Sequence, residues 1–247
     1  MPPRLACSLC LVIDFVERAR EFVRLSYARA EAAFLGGSAA TGDGTESSDL
    51  DILIVLGGDS QDTAFVETTT TCGQLVEAFV YGGSGLQVWL DKGRVERRPV
   101  LDRLIGEGVG LTDSDEENRL AQRSQQALAA GPAALQPDEL QRRAYALSSL
   151  LDDLNDADDQ GVKYVVGAAL WQEAAELALL SDGRWLGTGK WLLRELHRGP
   201  DRWGLIAWAE DECRDAETLI RSARSLLDAN GGYLQAGVVR GDRPADL

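Results

Sequence analysis

Apolar residues recur at helical spacing near the start of the chain. Val12, Phe15, Val16, Ala19, Phe22, Val23, Leu25 and Tyr27 alternate with arginines and glutamates, which predicts one amphipathic helix over residues 11–34 that runs into Gly36-Gly37. The pattern then changes period. Residues 51–56, Asp-Ile-Leu-Ile-Val-Leu, form a continuous apolar run rich in β-branched residues and stopped by Gly57-Gly58, the signature of a buried strand. Residues 74–83, Gln-Leu-Val-Glu-Ala-Phe-Val-Tyr-Gly-Gly, read as a second strand ending at Gly82-Gly83, and residues 86–94 fit either a short helix or a third strand.

Beyond about residue 113 the strand signals stop. Segments 138–156, 161–183, 189–199 and 205–232 all repeat their apolar positions with a 3.6-residue period. The fold class expected is therefore α+β. A mixed sheet with helices occupies residues 1–112, and an all-helical bundle occupies 113–247. Gly131-Pro132 and Pro137 mark a turn between the first helices of the second part. Residues 113–118, Asp-Ser-Asp-Glu-Glu-Asn, begin like a calcium loop, but Asn118 stands where glycine is required and Ser124 where the last glutamate belongs; they predict a capped helix start. The tail from 231 onward has no periodicity and is expected to be loose.

Composition narrows the partners. With 247 residues, 45% of them apolar, the chain can bury a substantial core. A formal net charge of −15 repels nucleic-acid phosphates and anionic lipid, so neither is an expected partner. No apolar run approaches the ~20 residues that span a bilayer, and the first segment meets Asp14 too early for a signal peptide, so a cytoplasmic protein is expected. Cys7, Cys10, Cys72 and Cys213 are scattered without a histidine cluster and read as buried or free thiols. His197 is the only histidine; at the end of a helical segment it suits the helix dipole rather than a catalytic triad.

One constellation stands apart. Asp49 and Asp51 open the 51–56 strand, and alternation puts them on one face about 6 to 7 Å apart. Two like charges so placed call for a cation between them. Oxygen donors of this kind suit Mg²⁺, which binds through one or two carboxylates, substrate phosphates and water. Eleven residues before Asp49, Gly37-Ser38 supply the complementary half, because glycine lets backbone N–H groups approach a phosphate and the serine adds a hydroxyl donor.

The stretch from Gly36 to Leu56 resembles the signature of the DNA polymerase β-like nucleotidyltransferase superfamily: a Gly-Ser turn, a spacer of about ten residues, then Asp-x-Asp on a strand. The resemblance implies that Asp49 and Asp51 hold two Mg²⁺ ions and that Gly37 and Ser38 bind the nucleoside triphosphate, ATP or another NTP. It also implies a third carboxylate on a neighbouring strand, matched by Glu77, acting as metal ligand or as general base. The helical second half makes the chain most similar to the aminoglycoside nucleotidyltransferases, whose helical domain offers a lysine to the triphosphate; Lys190 matches it. Lys190 is not part of a P-loop, since Arg184 occupies the first glycine position and Trp191 replaces the Ser or Thr. The implied activity is transfer of NMP, AMP for an ATP donor, to a hydroxyl of a small acceptor with release of pyrophosphate. The alternatives are modification of a protein side chain, as in toxin–antitoxin systems, and nucleotide binding without turnover. For a cationic acceptor, Asp152, Asp153, Asp156, Glu173 and Glu176 are the candidate acids, the last two on one helical face.

Overall fold

Helix α1 spans Ser8–Ser26 and ends where Tyr27 N–H closes its last turn on the Val23 carbonyl. This computed structural model describes residues 8–42, 44–45, 48–71 and 73–239, with side chains from Phe15 onward; Cys7, Cys72, the Cys10 side chain and residues 240–247 lie outside that description. After a turn the chain becomes strand β1, Ala30–Leu35. The single helix expected over 11–34 is therefore two elements. Helix propensity favours Ala, Glu and Leu by only a few tenths of a kcal/mol per residue, whereas burying Phe34 and Leu35 is worth about 2 kcal/mol each. Strand β1 buries both and gains ladder partners on each side, so tertiary burial decides the outcome.

The short helix α2 (Gly37–Thr41) precedes β2 (Leu50–Leu56), β3 (Ala64–Thr71) and β4 (Gln74–Gly82). Helices α3 (Gly83–Val95) and α4 (Val100–Gly106), strand β5 (Val109–Gly110) and helix α5 (Asp115–Ala130) complete the first unit. The strands of 51–56 and 74–82 appear as expected, and residues 86–94 resolve as helix. The sheet runs β3-β4-β2-β1-β5, with β2 and β4 parallel and the other pairs antiparallel. Even-numbered residues of the central pair, Leu50, Ile52, Ile54, Val76, Ala78 and Val80, bury against Phe15, Ala19, Phe22 and Val23 of α1. Odd-numbered Leu53, Val55 and Tyr81 pack on the other face with Leu86, Leu101, Leu104, Ile105 and Leu120 from α3, α4 and α5.

The first unit closes at Gly131 and the second begins at Pro132, so α5 lies beyond the division expected at 112/113. Glu117 shows why the helix stays with the sheet. Its buried carboxylate accepts from the Leu111 and Thr112 N–H groups at 2.9 and 2.7 Å, while the N-cap Ser114 donates to the Glu31 carbonyl at 2.6 Å. The capped start expected at 113–118 is present, with Ser114 accepting from Glu117 N–H.

Helices α3 and α4 are pinned by a bidentate pair: Arg94 Nε and Nη2 reach the two Asp102 oxygens at 2.9 and 2.8 Å, and Asp102 is 1% exposed. Arg94→Ala is expected to lower unfolding free energy by about 3 kcal/mol in a urea titration, because it strands a buried carboxylate. A loss below about 1 kcal/mol would mean that water replaces the guanidinium there.

The second unit is all helical: α6 (Pro137–Asp156), α7 (Gln160–Ser181), α8 (Lys190–His197), α9 (Leu205–Glu210) and α10 (Ala216–Ala229). Its core gathers Leu147, Leu151, Leu170, Leu177, Leu179, Leu219 and Leu226, all fully buried. The periodic segment 205–232 is broken in two, because Asp215 caps a new helix by accepting from Thr218 N–H and Oγ1 at 2.8 Å each. Trp171 and Trp208 fix the break, donating to the Leu205 and Asp215 carbonyls at 2.9 Å each. The tail is less loose than expected as far as Gln235: Tyr233 OH and Gln235 Nε2 donate to Asp152, and Leu234 N–H donates to Ser148 Oγ.

Candidate functional site

The end of β1 and the start of β2 meet at one point. Gly36 N–H donates to the Asp51 carbonyl at 2.8 Å, and the chain turns at Gly37 with φ +63°. A Cβ placed on Gly37 would lie 2.0 Å from Asp51 Oδ2, so the carboxylate rests directly against the turn, where no side chain fits. On the other side of the turn, a Cβ on Gly36 would lie 2.2 Å from Leu104 Cδ2. The turn is thus clamped between a carboxylate and α4. It follows a strand, not the helix that the sequence suggested. Ser38 comes next, half-buried in the first turn of α2.

Parallel pairing sets Asp51 beside Glu77. Adjacent strands lie about 4.8 Å apart and directly paired residues share a face, so the two carboxylates stand next to each other on the face of α3 and α4. Asp49, exposed, precedes the first residue of β2 and falls on the same side by alternation. Of the residues expected to act, then, Gly37, Asp51 and Glu77 are brought together, with Ser38 and Asp49 adjoining them in the chain. Lys190 belongs to the second unit, where it is the exposed first residue of α8 after Gly189 at φ +55°.

Among the described residues no three histidine, cysteine or carboxylate side chains converge into a ready metal cage. The donors at this point are carboxylate oxygens alone, the type a hard divalent cation takes when phosphate and water complete its shell.

Three of the acids proposed for a cationic acceptor, Glu173, Glu176 and Asp152, are engaged within the second unit. Glu173 and Glu176 do share a face, but they turn it on Arg143, whose Nη1 lies 3.7 and 3.4 Å from them. Asp152 holds Tyr233 and Gln235. His197 pairs with Glu210 at 3.1 Å at the end of α8. Two contributors escaped the sequence reading: Leu104, the α4 wall of the turn, and Thr68, paired with Glu77 across β3 and β4. The hairpin that carries Thr68 had one available signal, a β-branched threonine run separated by Cys72-Gly73 from an apolar strand.

Eleven chains of solved structures match this protein. One is a nucleotidyltransferase-like protein from Exiguobacterium sibiricum 255-15, 12% identical, with 87% of this chain and 74% of that one covered and a TM-score of 0.41. No curated protein matches. Residues 16–98 match the nucleotidyltransferase domain family, a span that contains Gly37, Ser38, Asp49, Asp51 and Glu77 together.

Proposed function

We propose that the chain is a Mg²⁺-dependent nucleotidyltransferase that moves NMP, AMP when ATP is the donor, to a hydroxyl of a small molecule and releases pyrophosphate. The observation that carries the reading is the contact between the Gly37 turn and Asp51, itself beside Glu77: a tight glycine turn and paired carboxylates meet at one point inside the matched domain. Asp49 and Asp51, with Glu77 as a third donor, would hold the metal. Bound there, Mg²⁺ supplies Lewis-acid polarisation and neutralises phosphate charge.

The chain's own groups account for the remaining steps. Gly37 N–H and Ser38 orient the β- and γ-phosphates. Glu77 takes the acceptor's proton as its oxygen bonds to the α-phosphorus and the bond to the β-phosphate oxygen breaks, so that NTP and alcohol become an NMP ester, pyrophosphate and a proton. Among the described residues no helix is long and apolar enough to cross a membrane.

The test is pyrophosphate release with each NTP, with and without Mg²⁺ and alcohol acceptors. Glu77→Gln is expected to lower kcat by roughly 10² to 10⁴-fold, the range for a lost proton acceptor, with a much smaller change in NTP affinity. A rate unchanged by the substitution removes Glu77 from the chemistry. A loss confined to NTP affinity makes it a metal ligand only.

A further inference from the structure

Resting on the transferase reading, we infer that the face of β3 beside Glu77 is the floor on which the acceptor lies, and that it takes a neutral hydroxyl compound with an apolar face. Strand order sets a row across the sheet. The Gly36-Gly37 turn at the end of β1 adjoins Asp51 on β2; Asp51 pairs with Glu77 on β4, and Glu77 with Thr68 on β3. Three strand spacings of about 4.8 Å put Thr68 about 14 Å from the turn. The faces are fixed independently. Even-numbered Gln74 accepts from Arg18 of α1, and Glu67, paired with even-numbered Ala78, accepts from Tyr27 OH, so both lie on the α1 side. Thr68 therefore shares the opposite side with Glu77.

Phosphoryl transfer in line needs the entering and leaving oxygens on opposite sides of the phosphorus. With pyrophosphate held by the turn at one end of the row, the entering hydroxyl comes from the other end, over Glu77 and β3. That end is open: β3 is the edge of the sheet, and its residues are mostly exposed. The positions around Glu77 on this face are Thr68, Thr70, Val66 and Leu75, with Thr70 opposite Leu75. Val66 is 49% and Leu75 47% exposed, large apolar side chains left uncovered beside a row of carboxylates.

The chemistry of this floor is specific. Thr68 and Thr70 donate to and accept from alcohol hydroxyls. Leu75 and Val66 offer apolar contact to a ring or chain. No strand position on the floor other than Glu77 carries a charge. An ammonium-rich acceptor finds no anion there to spare, and Glu173 and Glu176 already face Arg143.

The experiment uses the full chain with Mg²⁺ and each of the four NTPs, reading pyrophosphate release in water alone and NMP ester formation by mass. The acceptors are phenyl β-D-glucopyranoside, glycerol and kanamycin, which are neutral with an apolar face, neutral and fully polar, and cationic. The expected order places the phenyl glucoside first. Leu75→Glu should raise its KM by about tenfold or more, the scale of a lost apolar contact, and improve transfer to kanamycin. Thr68→Val should raise the same KM severalfold with kcat little changed, as a positioning residue would. Phe65→Thr, on the opposite face of β3, should leave the KM unchanged, and NTP affinity reports that each variant is folded. Preference for kanamycin, a KM indifferent to both floor variants, or pyrophosphate release in water without transfer to either neutral compound overturns the acceptor floor. Absence of pyrophosphate release with every NTP, water included, overturns the transferase reading instead.

Discussion

Asp51→Asn is expected to reduce NMP transfer by roughly 10³-fold, about 4 kcal/mol of transition-state stabilisation, while leaving the fold intact. The amide keeps the shape that fits against Gly37 but loses the charge that holds a divalent cation. It also removes the charge repulsion with Glu77 on the neighbouring strand, and like charges directly opposite are destabilising. The melting temperature should therefore hold or rise as activity disappears. That divergence separates a functional carboxylate from a structural one. Near wild-type transfer by the variant in Mg²⁺ would remove Asp51 from the metal site, whereas a large drop in melting temperature would make its role structural.

Gly37→Ala should cost both stability and activity, and Gly58→Ala is its control. The two glycines have nearly the same backbone, φ +63° and +64°. Each alanine carries about 1 to 2 kcal/mol of left-handed strain. Around Gly58 there is open space, but at Gly37 the new methyl would sit 2.0 Å from Asp51 Oδ2. The carboxylate must then move, and a displacement of about 1 Å at a reacting centre can cost about 10²-fold in rate. Thermal melts should show both variants weakened, and pyrophosphate-release assays should show only Gly37→Ala impaired. Equal rates in the two variants would mean that the closeness of turn and carboxylate does not matter to the chemistry.

What the sequence disclosed, and what it hid, follows from how each element earns its stability. Strand β2 is buried along most of its length and reads as an apolar run, and β4 buries its even-numbered residues and its C-terminal end, enough to read as a strand. Strand β1 is equally buried, yet it is spelled Ala-Glu-Ala-Ala-Phe-Leu, and single-residue preferences point to helix; only its pairing with β2 and β5 makes it a strand. Strand β3 is exposed along most of its length and shows no apolar face to read. Helix α5 has the charge pattern of a surface helix; it is held to the first unit by Leu120 in the core and by the buried carboxylate of Glu117, whose backbone partners no periodicity announces. At the candidate site, Gly37, Ser38, Asp49 and Asp51 could be picked out because they lie at short fixed spacing within one stretch of sequence. The placement of Glu77 and Thr68 is a matter of register between strands, which a linear motif does not carry.

The hydrogen bond from Gly36 N–H to the Asp51 carbonyl, together with the β1–β2 ladder, sets how far the glycine turn stands from the carboxylates. The distance between turn and acids is therefore set by strand pairing and not by the number of residues that separate them in the chain. A search for chains built on the same plan should therefore fix the two paired strands and let the interval between turn and acids vary.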